Sequence, residues 1–304
     1  MSGRLTLQEP FRAVFYAPFY AALARGDFAA EGVEVRLVTV GEPERAVANL
    51  LSGAADLAWS GPMRVIRDHA RDAASPLVSF GAVVMRDPFL LMGRGPAPPG
   101  FTLRDLPRLR LGTVSEVPTP WWCLQDDLRR LGVDPAGVPA VHGRTMRENA
   151  EALATGTLDL AQLFEPFASE LEARGVAQAW HAQAMRGPTS YTAFYGTRAG
   201  IAARREACMG MVRGVARTLA WLRATPAERV AEVIGPGFFP DLDPRLLAAG
   251  IARYGTLGIW AEAPRFPEEA FTRLESAMLG AGAIARAPGF AACVDTAIED
   301  AALV

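Results

Sequence analysis

The chain has 304 residues, of which 50% are hydrophobic and 21% are charged, and its formal net charge is -2. This is the composition of a globular protein long enough for two domains, and it excludes a disordered chain. Since the charge is balanced and no basic stripe occurs, the sequence argues against nucleic acid and an anionic membrane as partners.

The N-terminus leads straight into an alternating strand pattern at residues 4–7. No apolar stretch of the signal-peptide type precedes it, and no segment is long enough to span a bilayer. We therefore expect no direct membrane insertion. The protein is expected to be periplasmic if a leader has been removed and cytoplasmic if Met1 is the native start.

Two segments of about sixty residues repeat one order of elements. The copies open with strands at 4–7 and 108–111, and each strand is followed by a helix that starts at a proline, Pro18 or Pro120. Further equivalent positions are Gly26 and Gly132, Gly41 and Gly143, Gly53 and Gly156, Asp56 and Asp159, and Pro62 and Pro166. The repeat predicts strand and helix three times over in each copy, which requires parallel strands with helices on both faces.

The segments outside the repeat predict how the two halves connect. Residues 77–84 and 89–92 are typical of consecutive strands, and the Gly- and Pro-rich stretch 93–100 indicates a crossover. The segment 192–197 is typical of a returning strand, and a second crossover is expected near 188–196. Helices are predicted at 201–222, 226–234, 244–254 and 267–279, packing on the first lobe. The predicted domains are lobe I, 1–90 and 196–304, and lobe II, 91–195.

Loops at the carboxyl ends of the predicted strands carry aromatic and polar residues. Ligands of open α/β sheets bind there, and two facing lobes bury a ligand when they close. The predicted ligand-binding residues are Phe15, Tyr16, Tyr20, Trp59, Ser60, Arg86, Ser115, Thr119, Trp121, Glu165 and Tyr191. Aromatic walls suit a planar body, hydroxyls and helix-end N–H groups suit an anionic oxygen, and Glu165 suits an amine or ring N–H.

Catalytic motifs are missing from the sequence. All 31 basic residues are arginine, and a Schiff base to pyridoxal phosphate needs an amine side chain. The cysteines and histidines lie far apart without metal-ligand spacing, at Cys123, Cys208, Cys293, His69, His142 and His181. We expect no metal and no cofactor, and an enzymatic role is open but not favoured.

Three stretches resemble one known family. Residues 17–35, residues 51–58, and 159–161 with 165–167 are similar to hallmarks of the substrate-binding proteins of nitrate, sulfonate, taurine and thiamine-precursor importers, the NMT1-like family. The resemblance covers roughly residues 4–200 and implies a type II periplasmic-binding-protein fold with a cleft between two α/β lobes and a helical C-terminal segment. It also implies a small-molecule ligand delivered to an ABC permease and ATPase.

Two alternatives stay open beside the solute-binding protein. One is a cytoplasmic enzyme on the same fold, either a pyrimidine-precursor synthase or an aryl-sulfinate desulfinase. The missing lysine counts against the synthase, and a desulfinase would want a cysteine where this chain has Phe15 and Tyr16, which leaves Cys123 as candidate nucleophile. The other is a cytoplasmic ligand sensor.

Overall fold

The computed structural model describes residues 3–41 and 43–304, which form two five-stranded sheets. The first sheet, in the order β2-β1-β3-β10-β4, contains β1 (Gly3–Glu9), β2 (Val33–Thr39), β3 (Leu57–Ser60), β4 (Leu77–Val84) and β10 (Thr192–Thr197). The second, in the order β7-β6-β8-β5-β9, contains β5 (Leu90–Arg94), β6 (Leu111–Val114), β7 (Ala140–Arg144), β8 (Leu160–Leu163) and β9 (Ala177–Ala182). In each sheet one strand, β10 or β5, runs antiparallel to both of its neighbours.

Helices cover the faces of both sheets. Those that follow the repeat are α1 (Ala17–Ala24), α2 (Pro43–Leu51), α3 (Met63–Arg71), α4 (Thr119–Arg130), α5 (Met146–Ala154) and α6 (Phe167–Ala173). The C-terminal helices are α7 (Arg198–Ala203), α8 (Arg205–Ala224), α9 (Ala227–Phe238), α10 (Pro244–Leu257), α11 (Glu268–Gly280), α12 (Phe290–Cys293) and α13 (Ala297–Ala302). Within the described ranges, every helix is too short or too polar to cross a bilayer.

The internal repeat is confirmed in detail. Both copies run strand, helix, strand, helix, strand, helix, as the sequence predicts. The backbone N–H of Thr6 donates to the Asp56 carboxylate at 2.8 Å, and in the second copy Arg110 N–H donates to Asp159 at the same distance. The equivalent aspartates therefore join the first strand of each copy to the start of its third.

The chain passes between the sheets twice. It leaves the first sheet after Val84 and joins the second at Leu90, then returns between Ala182 and Thr192. The crossover expected at 93–100 is wrong, because β5 already belongs to the second sheet. The sequence Asp87-Pro88 interrupts the strands, since proline lacks an N–H and restricts the residue before it. We propose that the two lobes meet at these crossovers.

The C-terminal helices pack mainly on the first sheet, as expected. Helix α8 lies against α1, and α13 lies against β4. Two helices also reach the other half of the molecule, where α10 contacts α6 and α11 contacts α4. The two halves are thus also in contact through these helices.

Candidate ligand cleft and hinge

Aromatic rings from the two halves meet at the carboxyl ends of β1 and β8. Phe15 lies in the turn after β1, and its ring centroid is 5.2 Å from that of Phe164, which follows β8, in an edge-to-face arrangement. Phe11 stacks on Phe164 at 6.1 Å, and Tyr16 packs on Phe15 at 4.4 Å. The cleft between the halves is therefore closed by ring contacts of the favourable tilted and stacked kinds.

A polar cluster lies under these rings on the side of the first sheet. We call Tyr16, Ser60, Arg64 and Tyr195 the arginine cluster, and each is less than 9% exposed. Arg64 is the second residue of α3, and its Nε donates a hydrogen bond to Ser60 Oγ at 3.0 Å. Among residues 3–41 and 43–304, no carboxylate forms a salt bridge with Arg64, although a buried cation normally has such a partner.

The hydroxyls of this cluster are donors at neutral pH. Burial raises the pKa of Tyr16 well above its usual range and that of Tyr195 to about 12, although the Arg64 guanidinium opposes both shifts. The Tyr195 hydroxyl is buried without a hydrogen-bond partner in the described part of the chain. A buried guanidinium beside neutral phenols offers donors and positive charge, which suits an anionic group.

Trp59 and Tyr20 lie next to this cluster but deeper in the core. The Trp59 ring stacks on Phe19 at 4.4 Å and is fully buried, with an indole N–H that has no partner among the described residues. The Tyr20 hydroxyl donates to Glu9 at 2.6 Å, and its ring stacks on Phe238 at 4.5 Å. The structure thus brings Phe15, Tyr16, Tyr20, Trp59 and Ser60 together, as one continuous group of rings and hydroxyls.

Three predicted residues of the second half lie around the start of α4, apart from this group. Ser115 is exposed and lies 3.5 Å from a carboxylate oxygen of Glu116. Thr119 is buried at the first position of α4. Trp121 is half-buried in a separate apolar core, with its ring 5.9 Å from that of His142. Their roles in ligand binding remain predictions.

Glu165 is held by the protein itself. It is fully buried, one carboxylate oxygen lies 2.9 Å from Arg253 Nε, and the other accepts the Ser169 N–H at 3.0 Å. Its own N–H donates to the Tyr254 hydroxyl at 2.9 Å. Burial raises the pKa of Glu165, and the Arg253 guanidinium and Ser169 hydrogen bonds oppose that shift.

Arg253 joins the two halves of the molecule. It lies on α10, which packs with α9, and it contacts both Glu165 and, at 3.1 Å, Glu172 on α6. Gly250 lets α10 approach Glu165 closely, because a Cβ at position 250 would lie only 3.0 Å from the Cβ of Glu165. We call Arg253, Glu165 and Glu172 the α10 latch, which the sequence alone did not indicate.

A buried charged network ties the two crossovers together. The Asp87 carboxylate accepts hydrogen bonds from Tyr191 and from Gln183, the latter at 2.7 Å, and it also pairs with Arg186. Arg186 pairs with Asp127 of α4 at 2.6 Å. Burial raises the pKa of Asp127, and Arg186 opposes that shift. Tyr191, predicted to contact ligand, therefore has its hydroxyl engaged by Asp87 of the first crossover.

The three cysteines are all buried and unpaired with one another. Cys123 lies beside the charged network of Asp87 and Arg186. Burial raises the pKa of its thiol to about 12, although the Arg186 guanidinium opposes this shift. The same cause raises the pKa values of Cys208 and Cys293 to about 12. None of them is a thiolate at neutral pH, and the thiolate is the nucleophilic form.

Comparison with known proteins identifies the family. The sequence model described as NMT1/THI5 like matches residues 15–229, well over half of the chain. The chain belongs to the NMT1/THI5-like family. It is 24% identical over 280 residues to a Bacillus subtilis (strain 168) protein named as a binding protein, YtlA, covering 90% of this chain and 82% of that one.

Several solved structures have the same architecture as this chain. The alkanesulfonate-binding protein SsuA from Xanthomonas axonopodis pv. citri, bound to MOPS, superposes with a TM-score of 0.71 at 16% identity, covering 97% of this chain and 98% of that one. A mutant of the enzyme DSZB in complex with biphenyl-2-sulfinic acid superposes with a TM-score of 0.70 at 14% identity, covering 100% and 99%. The NMT1/THI5-like chain therefore has the periplasmic-binding-protein fold that its sequence predicts.

Proposed function

We propose that this protein is a solute-binding protein that captures an organic anion with an aromatic or other apolar body by closure of its two lobes. The acid group binds in the arginine cluster, and the body lies against the rings of Phe15, Tyr16 and Phe164. The observation that carries the proposal is Arg64, a cation that is 8% exposed and lacks a carboxylate partner in the described chain.

Burying the charge of Arg64 has a free-energy cost that an anionic ligand would offset. A buried, unpaired cation is unfavourable unless hydrogen bonds or an ion compensate it. An incoming carboxylate or sulfonate supplies both the charge and the acceptors, and the Tyr16 and Tyr195 hydroxyls add neutral donors beside it. A neutral molecule would leave Arg64 as it is, and a cation would be repelled.

The relatives support a transport role for the captured ligand. YtlA is named as a binding protein, and SsuA is named as an alkanesulfonate-binding protein. We propose by analogy that this chain delivers its ligand to an ABC permease and its ATPase, and that it does so in the periplasm.

The desulfinase alternative has less support. DSZB is named as a desulfurization enzyme, but likeness at 14% identity concerns the fold. In this chain Phe15 and Tyr16 occupy the turn after β1, and burial raises the pKa of Cys123 to about 12. A protonated thiol of this kind is a poor nucleophile.

A thermal-shift and calorimetric screen with matched compounds tests the proposal. Naphthalene-2-sulfonate and 2-naphthoate should stabilise the protein, whereas naphthalene-2-sulfonamide and 2-naphthylmethylamine should not. At 100 times the dissociation constant a ligand adds about 2.7 kcal/mol of stability. Stabilisation by the neutral or cationic compounds alone would refute the anion site, and conversion of the bound compound, seen by chromatography, would refute the transport role.

Uptake tests the importer role. Deletion of the gene in the source strain should abolish uptake of the compound that the screen identifies, and the gene supplied in trans should restore it. Unchanged uptake in the deletion strain would contradict the role as an importer component. Cell fractionation then tests the location, with the protein expected in the periplasmic fraction.

A further inference from the structure

A cavity lies beside the two crossovers, which form the hinge of the proposed closure. Its volume is about 980 Å³, at the upper end of the range for small-molecule sites. Met85 and Arg86 of the first crossover and Pro188 of the second form one wall. The other walls come from the end of α8, from α10 and from the segment 258–267, with Leu222, Ile251, Gly255 and Trp260 among the residues facing the space. We call this space the hinge cavity.

The hinge cavity is separate from the proposed cleft site but shares a wall with it. Tyr254 and Trp260 both line the cavity, while the Tyr254 hydroxyl accepts the N–H of Glu165 and the Trp260 N–H donates to the Phe15 carbonyl at 2.9 Å. No residue of the arginine cluster lies among those described as lining it. A molecule in the cavity therefore touches neither Arg64 nor Ser60.

The cavity walls carry a positive balance of charge. Arg86, Arg223 and Arg265 line it together with one carboxylate, Glu262. Arg265 is neutralised by Asp300 at 2.8 Å, and Arg223 donates to the backbone carbonyl of Glu262. Arg86 makes one long hydrogen bond, 3.4 Å to the Ala184 carbonyl, and within the described chain it has no ion-pair partner. With the Glu262 carboxylate counted, one positive charge is left over, and Arg86 is the guanidinium best placed to attract an anion.

We propose that the hinge cavity is a second binding site, for an amphipathic organic anion whose carboxylate or sulfonate pairs with Arg86 and whose flat apolar body packs on Trp260 and Ile251. The cavity size, the apolar walls and the Arg86 guanidinium each match that class of molecule. Because Met85, Arg86 and Pro188 belong to the crossovers, an occupant also contacts the segments that must bend when the lobes open.

The probe for this site is 8-anilinonaphthalene-1-sulfonate, a fluorescent sulfonate with a flat apolar body. It is titrated into Arg64→Gln protein, in which the proposed cleft site is disabled, and fluorescence and calorimetric stoichiometry are recorded. We expect one equivalent to bind. Arg86→Gln in the same background should weaken binding about tenfold, the effect of losing one charged hydrogen-bonding group.

Gly255→Leu is a second variant, which should fill the cavity without changing any charge and should still fold. A Cβ at Gly255 would meet no atom within 4 Å, its φ is not in the left-handed region, and leucine is the better helix former. The leucine side chain should occupy the cavity and abolish probe binding. Arg245→Gln is the control, since Arg245 is exposed at the start of α10 outside the cavity.

The outcomes separate this proposal from the proposed function. No probe binding in Arg64→Gln protein, or binding that Gly255→Leu and Arg86→Gln leave unchanged, overturns the hinge site. The cleft site is tested independently by titrating naphthalene-2-sulfonate into Gly255→Leu protein, in which the hinge cavity is filled, with and without Arg64→Gln. One-to-one probe binding that Gly255→Leu abolishes and Arg245→Gln preserves supports the hinge site whatever the cleft screen shows.

Discussion

The two copies of the repeat place different charges at the same point of the fold. At the end of its third strand the first copy carries Ser60, and Arg64 follows as a buried cation without a carboxylate partner in the described chain. The second copy carries Glu165, a buried anion that Arg253 neutralises. We infer that the unpaired charge of Arg64 in the first lobe is available to a ligand, whereas the charge of Glu165 in the second lobe is paired with Arg253 of α10. Equivalent strand ends thus serve binding in one copy and closure in the other.

The largest expected effect of breaking this difference is at Arg64. Arg64→Gln removes the positive charge from the arginine cluster, so binding of an organic anion should weaken about 100-fold, because truncating one partner of a buried charge pair costs about 2–5 kcal/mol. Isothermal titration measures the loss. Arg71→Gln, an exposed arginine on the same helix, is the matched control and should bind as the wild type does. Equal affinity in both variants would remove Arg64 from the site.

The next largest effect is expected at the α10 latch. Arg253→Gln leaves Glu165 buried without its cation, so the free energy of unfolding should fall by about 2 kcal/mol, the cost of leaving a buried charged group without its partner. Without ligand the lobes should also open more, which small-angle scattering records as a larger radius of gyration. Arg245→Gln on the same helix should change neither quantity. A latch variant with wild-type stability and scattering would contradict the role of Arg253.

A pair of serines compares the two strand-end loops directly. Ser60→Ala deprives Arg64 Nε of its acceptor and should weaken anion binding about tenfold. Ser115→Ala should change affinity less than about threefold, because Ser115 is exposed and water can replace its hydroxyl. Titration of both variants with the same sulfonate measures the ratio. A larger loss of affinity in Ser115→Ala than in Ser60→Ala would place the anion site in the second lobe instead of the first.

The smallest effect is the pH dependence of the latch. Burial raises the folded-state pKa of Glu165 above its ordinary value of 4.5, so the folded state holds the proton more tightly than the unfolded chain. The stability from this group is present below that value and is lost as pH rises through the folded pKa. Arg253→Gln should raise this pKa further, so its destabilisation should be about 1 kcal/mol larger at pH 8 than at pH 4. Denaturant unfolding at the two pH values tests this, and a smaller loss at pH 8 would contradict it.

Much of the fold could be predicted because its signals are local. Asp56 and Asp159 stand at equivalent positions, and their identical hydrogen bonds to the first strands explain the repeated sequence. Prolines at helix starts and the apolar periodicity of the C-terminal helices likewise act within a few residues. The crossover was misplaced because β4 and β5 are separated by five residues and look alike in sequence, while their pairing partners are distant.

The site could be predicted only in part, for the same reason. The aromatic residues after β1 and at the end of β3 lie at strand ends, and the structure brings them together. Arg64 gave no signal, because an arginine on a helix is normally solvated and its burial depends on Tyr195 of a strand far along the chain. Glu165 and Arg253 are paired across 88 positions, and no local pattern indicates such a pair.

The most direct test is a crystal structure with bound naphthalene-2-sulfonate. The sulfonate oxygens should lie within hydrogen-bonding distance of the Arg64 guanidinium, and the naphthalene ring should lie between the aromatic residues of the first lobe and Phe164. A sulfonate bound elsewhere, with Arg64 still joined to Ser60 alone, would contradict the central claim.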